Sequence, residues 1–227
     1  MLASWNCGGS GGGEGEPRIG IVLSNPGSIR RINLATGDTL GNPIALTGNL
    51  RNIAFNATSG ELFGIGTDLN LYSVNTVNGV CTQVSAGPMA ISNYNGGFAY
   101  LPNTLNDFAF INQNNDAYII SSVDGTITQL ADANIPAFGL AIADGTTYAF
   151  TQNDEIWSSI NFPSSSGGFA LVGAAGQDLS GGLGMAIDPE SGDGFVVSAE
   201  GVFRLNLSTG VITSLDSTSG DDIAILP

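Results

Sequence analysis

An apolar run centred on an alanine returns five times along this chain: NIAF at 52–55, GFAYLP at 97–102, GLAIAD at 139–144, GMAIDP at 184–189 and DIAILP at 222–227. After most copies comes a turn and a second apolar stretch, ELFGIG, DFAFIN, TTYAFT or GFVVSA, with RIGIVLS as the equivalent at the front of the chain. A third stretch (LYSVN, AYIIS, IWSSIN, VFRLN, IRRIN) runs into a turn such as ATGD, TVNG, SVDG, PSSSG or LSTG, and a fourth follows, such as VCTQVS, TITQL or VITSL. Apolar and polar residues alternate with the two-residue period of strands, and the Asn-Gly, Asp-Gly and Thr-Gly pairs between them are hairpin signals.

The turn before the fourth stretch begins at Asn33, Asn75, Ser121, Asn161 and Asn206, so the repeat recurs every 42, 46, 40 and 45 residues. Four short antiparallel strands in about 40 to 50 residues are the unit of a β-propeller blade. The first unit lacks its opening strand, and the C-terminus supplies a lone one, DDIAILP. The sequence therefore predicts an all-β, five-bladed propeller over residues 18–227, closed by the C-terminal strand completing the first blade. Pairing the termini in one sheet leaves no blade edge open between first and last. The alanines at 54, 99, 141, 186 and 224 fit this ring, because innermost strands crowd near the axis and one face of each has room for little beyond a methyl group.

Charge and composition then exclude function classes. Twenty acidic residues face five arginines, giving a formal charge of -15, so a phosphate backbone or an anionic membrane surface is repelled and no nucleic-acid partner is expected. The chain has no lysine and no histidine. Ser-His-Asp and Cys-His chemistry, Schiff bases, P-loops and histidine metal sites each lack an essential residue. Carboxylate chemistry, calcium binding through oxygen ligands, and recognition by aromatic and amide groups survive.

Residues 1–17 differ from the rest. Eight of residues 8–17 are Gly, Ser or Pro, the composition of a flexible tether, and Cys7 stands directly before them. A cysteine ahead of such a linker resembles a bacterial lipoprotein head, which makes Cys7 the candidate lipid-attachment residue and a lipid anchor the one expected membrane link. A disulfide from Cys7 to Cys81 is the competing reading. No stretch reaches the roughly 18 apolar residues that span a bilayer as a helix.

The runs LRNIAFNATSGELFGIGTDLNLYSVNTVNGVCTQV, GFAYLPNTLNDFAFINQNNDAYIISSVDGTITQL and VFRLNLSTGVITSL resemble a bacterial family of secreted or surface propeller-like domains of unknown function, whose repeats read "LYTIDLATG". The resemblance covers about residues 18–227 and implies a propeller with an extracytoplasmic location, secreted or at the cell surface. Near Asn106 that family commonly carries an Asp-Arg-Ile-Arg run; here the sequence is NDFAFIN, and no role resting on those arginines carries over.

Candidate sites are few. Arg51, Asn52, Asp221 and Asp222 precede two innermost strands and are expected at one mouth of the axial channel, either as a ligand site or as an Arg–Asp staple between blades. Tyr94 and Phe162 lie beside loop residues and are the candidate exposed aromatics for stacking on sugar rings. Asp188, Glu190 and Asp193 sit close enough to hold calcium, but their spacing misses the EF-hand pattern and suits a hairpin turn, so no cofactor is expected. A glycosidase needs two acids about 5 to 9.5 Å apart. Only Asp178, Asp221 and Asp222 are placed for it. The expected function is a non-catalytic binding or assembly scaffold whose partner is a protein, a surface glycan or a second copy of itself, with a lectin or a carboxylate-dependent carbohydrate enzyme as alternatives.

Overall fold

The computed structural model describes residues 18–24, 27–102, 107–163, 168–181 and 183–226. Cys7 and the rest of the 1–17 segment lie outside the described residues. Twenty strands form five four-stranded antiparallel sheets, arranged as a five-bladed β-propeller. Blade 1 holds β1 (Ile19–Ser24), β2 (Ser28–Asn33) and β3 (Thr39–Ala45), and its innermost strand is β20 (Asp222–Leu226). Blade 2 runs outwards from the axis as β4 (Leu50–Asn56), β5 (Glu61–Gly66), β6 (Leu71–Val74) and β7 (Cys81–Gln83). Blade 3 follows with β8 (Gly96–Tyr100), β9 (Asp107–Asn112), β10 (Ala117–Ser121) and β11 (Ile127–Gln129). Blade 4 has β12 (Ala137–Ala143), β13 (Thr146–Thr151), β14 (Glu155–Ser159) and β15 (Ala170–Ala174). Blade 5 has β16 (Gly184–Ile187), β17 (Gly194–Ser198), β18 (Gly201–Leu205) and β19 (Ile212–Asp216).

The ring closes as its sequence implies. β20 lies antiparallel to β1, with Ile19 opposite Leu226 and Leu23 opposite Asp222, so the last strand supplies the missing first one.

Each blade buries both faces, and the core is accordingly divided among the blade interfaces. Five apolar clusters fill the five gaps, and each draws on two neighbouring blades. The gap between blades 2 and 3 is the most aromatic: the ring of Phe108 lies 4.7 Å from that of Phe98 and 5.1 Å from that of Phe63. Outermost strands such as β3, β7 and β11 are short or largely exposed, which limits the open edge that each blade offers to another chain.

The turns between third and fourth strands explain the recurrent Asn and Gly. The Asn75 side chain accepts hydrogen bonds from the amides of Val77 (2.9 Å) and Asn78 (3.1 Å), and Asn206 does the same for Ser208 (2.9 Å) and Thr209 (3.1 Å). Gly79 closes the turn with φ of 75°, a conformation that side chains resist, and donates its N–H to the Asn75 carbonyl at 2.8 Å. It also presses on the preceding blade: a Cβ there would come 2.9 Å from the carbonyl carbon of Ala45, and Thr47 donates to the Gly79 carbonyl. The hairpin glycine thus shapes one blade and seats it on its neighbour.

Candidate functional site: the two ends of the axial channel

The channel walls come from β4, β8, β12, β16 and β20, each the innermost strand of its sheet. Around the axis every alanine faces a larger residue of the next blade: Ala54 meets Phe98, Ala99 meets Leu140, Ala141 meets Met185, Ala186 meets Ile223 and Ala224 meets Ile53 within the respective clusters. A methyl group opposite a bulky side chain keeps the packing dense where the blades converge.

Two residues before each alanine, the same strand face turns to the next blade at close quarters. Blades 3, 4 and 5 carry Gly97, Gly139 and Gly184 there, and an added Cβ would lie 2.6 Å from the Leu140 Cβ, 2.7 Å from the Met185 Cβ and 2.9 Å from the Ile223 nitrogen, respectively. Blades 2 and 1 carry Asn52 and Asp222 instead, and both side chains bridge the gap. The Asn52 amide donates to the Gly96 carbonyl of blade 3, while Asp222 accepts from the Ile53 N–H of blade 2 at 2.7 Å and from the Ile223 N–H at 2.8 Å. Asp222 is 4% exposed, and burial pushes its carboxyl well above the usual carboxylate range, against the pull of its two amide donors.

One residue further toward the strand starts lies the narrow mouth. Arg51 reaches Asp221 at 3.7 Å, joining blade 2 to blade 1, with side chains 28% and 15% exposed. Phe138, Leu183, Tyr94 and Gln113 line the same space, which measures only about 50 Å³. Of the residues expected at this mouth, Arg51, Asn52 and Asp221 line it, as does Tyr94. Asp222 does not: its carboxylate is buried in the wall between blades 1 and 2, where the Ile53 and Ile223 amides hold it.

Phe162 corrects an expectation. It is 4% exposed, packed in the cluster between blades 3 and 4 with its ring 5.6 Å from that of Phe169, so no sugar can stack on it in this fold. Its neighbour Asn161 is exposed, while the ring of Phe162 turns into the interface between the blades.

The opposite end of the channel is wide. Its cavity measures about 600 Å³ and is lined by all five blades. The residue after each alanine supplies the wall, as Phe55, Tyr100, Ile142, Ile187 and Ile225, and Ala57, Pro102 and Pro189 form the rim. Polar side chains are confined to that rim. The Tyr100 hydroxyl pairs with that of Thr58, Asp144 is exposed, and Asp188 is held by Arg18 of blade 1. Sequence reasoning missed this end because an apolar stretch reads as core; the available signal was a bulky residue after every alanine, with Ala or Pro two positions further on in four copies and Asp144 in the fifth.

The Asp188–Asp193 segment is a hairpin turn. Asp188 accepts from the Glu190 N–H (3.0 Å) and the Ser191 hydroxyl (2.9 Å), Arg18 also pairs with Glu190, and Arg204 stands 4.0 Å from Asp193. Among the described residues no group of three or more acids or cysteines is arranged to hold a metal ion. Asp178, the remaining acid weighed for hydrolysis, is exposed. Cys81, on β7, is half-buried and forms no disulfide among the described residues.

No family model matches the chain, and no curated protein matches it in sequence. Among solved structures, a propeller chain in a crystal structure of a nidogen/laminin complex superposes with a TM-score of 0.60 at 10% identity, over 92% of this chain and 98% of that one. The likeness shows the fold: this chain is a β-propeller.

Proposed function

We propose that this chain is a non-catalytic binding or assembly scaffold, presented outside the bacterial cytoplasm on the tether of residues 1–17 and anchored through Cys7. The observation that carries the binding role is the channel: narrow at one end and opening at the other in a cavity of about 600 Å³ to which every blade contributes a wall. Such concave, mostly apolar sites with a few polar groups at the edge are where proteins hold ligands. The absence of lysine and histidine from the sequence supports the non-catalytic half. A protein partner is supported by the similar propeller, which stands in a nidogen/laminin complex.

Two measurements test the proposal. Mass spectrometry of the protein from its host's membrane fraction should find an acylated Cys7 as the new N-terminus; an unmodified, soluble chain overturns the anchor. A photo-crosslinking p-benzoylphenylalanine in place of Pro102, exposed on the wide rim, should give a discrete adduct on intact cells. No adduct above that of the same probe placed at the outer turn residue Val123 overturns binding at this end.

A glycan partner is favoured by one arrangement: the Tyr94 ring stands beside the Asn95 and Gln113 amides at the narrow mouth, an aromatic face next to hydrogen-bonding groups. A glycan array with specific signals that Tyr94→Ala abolishes would bear this reading out; a blank array removes it.

A further inference from the structure

The wide end of the channel has a chemistry narrow enough to name the class of its ligand, an inference that rests on the binding role proposed above. From Ile53 to Ala57 the wall spans four residue steps, so the funnel is about 13 Å deep at about 3.3 Å per residue. Its volume of about 600 Å³ falls inside the roughly 300–1,000 Å³ range of small-molecule sites. The side chains of the wall are hydrocarbon throughout its middle, from Ile53 and Phe55 to Ile142 and Ile187.

The wall is not uniformly greasy, because each innermost strand has a sheet partner on its outer side only. Alternate backbone N–H and C=O groups on the inner edges therefore have no ladder partner; the Ile53 N–H, which bonds to Asp222 rather than to β5, is one such group, and the others line the funnel edge. These groups require hydrogen-bond partners when water leaves. A ligand filling the funnel must then combine an apolar body with neutral donors or acceptors.

Charge decides the remaining choice. The rim carries Asp144 and Asp188. The one arginine beside it, Arg18, is occupied by Asp188 and Glu190. The whole chain bears a formal charge of -15. An anionic headgroup would be driven off, and a fatty-acid carboxylate has no free cation to meet.

We infer that the wide funnel binds an uncharged or cationic small organic molecule, apolar in body, one per chain. The geometry gives one site because the narrow mouth holds a space of only about 50 Å³, against about 600 Å³ at the wide end.

The test uses the neutral dye Nile red and the anionic dye anilinonaphthalene sulfonate on the intact protein. Nile red should bind saturably at one per chain with a blue-shifted emission, and the anionic dye at least 10-fold more weakly. Ala57→Phe and Ala143→Phe place rings into the funnel from half-exposed or exposed positions and should each weaken Nile red at least 10-fold, with unchanged near-ultraviolet circular dichroism. Val123→Ser, on an outer turn, should leave binding as it was. Equal binding of both dyes, several dyes per chain, or indifference to both filling variants overturns the inference; if one variant misfolds, the other decides. Failure of Nile red together with a discrete crosslink from position 102 removes the small-molecule class and leaves the scaffold reading intact, whereas failure of both removes the site.

Discussion

The two ends of the channel are built from the same five strands and differ in everything a ligand would meet. At the narrow end the strands approach so closely that three blades use glycine, and the two that do not, at Asn52 and Asp222, turn the extra atoms into hydrogen bonds across the gap. At the wide end, a few residues along each strand, the walls have diverged enough for Phe55, Tyr100 and three isoleucines to leave a cavity between them. Rigidity and binding capacity are thereby separated along one axis. The narrow end locks the blades, and the wide end is free to vary.

That division is open to attack by substitution. Gly184→Leu forces a side chain onto the Asp222 and Ile223 backbone and should cost about 3 kcal/mol or more, read as a lowered midpoint in urea unfolding. A loss below about 1 kcal/mol would mean that the narrow end is looser than described. Asp222→Ala leaves the Ile53 and Ile223 amides without their acceptor and should cost on the order of 2 kcal/mol in the same measurement.

Asp222→Asn separates charge from hydrogen bonding. The folded chain raises the carboxyl's pKa, so it binds the proton more tightly than the unfolded chain does. The group's contribution is therefore fullest below the unfolded value of about 3.9 and is lost as pH rises through the interval up to the raised folded value. The stability of the natural protein relative to Asp222→Asn should fall across that interval in thermal unfolding at a series of pH values. A flat difference would show that folding leaves the carboxyl's pKa where the unfolded chain has it.

Arg51→Ala should cost less than about 1 kcal/mol, and less still in high salt, because the pair with Asp221 is partly exposed and 3.7 Å long. Ala57→Leu at the wide rim, exposed and clear of the blade interfaces, should stay within about 0.5 kcal/mol of the natural protein. A larger loss there would break the contrast between the ends.

How much of this was legible beforehand depended on whether a position repeats. The alanines, the turn glycines and the orphan strand at the C-terminus recur in register, so the blade count and the closure of blade 1 by β20 could be read directly. Arg51 and Asp221 stand at equivalent strand starts, which is enough to put them at one mouth, and they meet there. Asp222 stands one residue further on, where its carboxylate meets the Ile53 and Ile223 amides and is buried between blades 1 and 2, a contact that depends on the neighbouring blade and that no single strand encodes. Phe162 misled for a related reason: polar neighbours in sequence do not report the direction of a ring. The wide cavity was invisible because only the divergence of five strands in space, which no single strand encodes, tells a lined hole from a filled core.

The strand that closes the ring also sets an order of events during synthesis. Blades 2 to 5 are each made of consecutive strands and can complete their ladders as they leave the ribosome, whereas β1 emerges first and must wait for β20. Until then the apolar segment IGIVLS holds an unpaired edge, the kind of surface on which nascent chains join one another. The blade that is begun earliest is finished last, and the newborn protein stays vulnerable to aggregation until β20 docks.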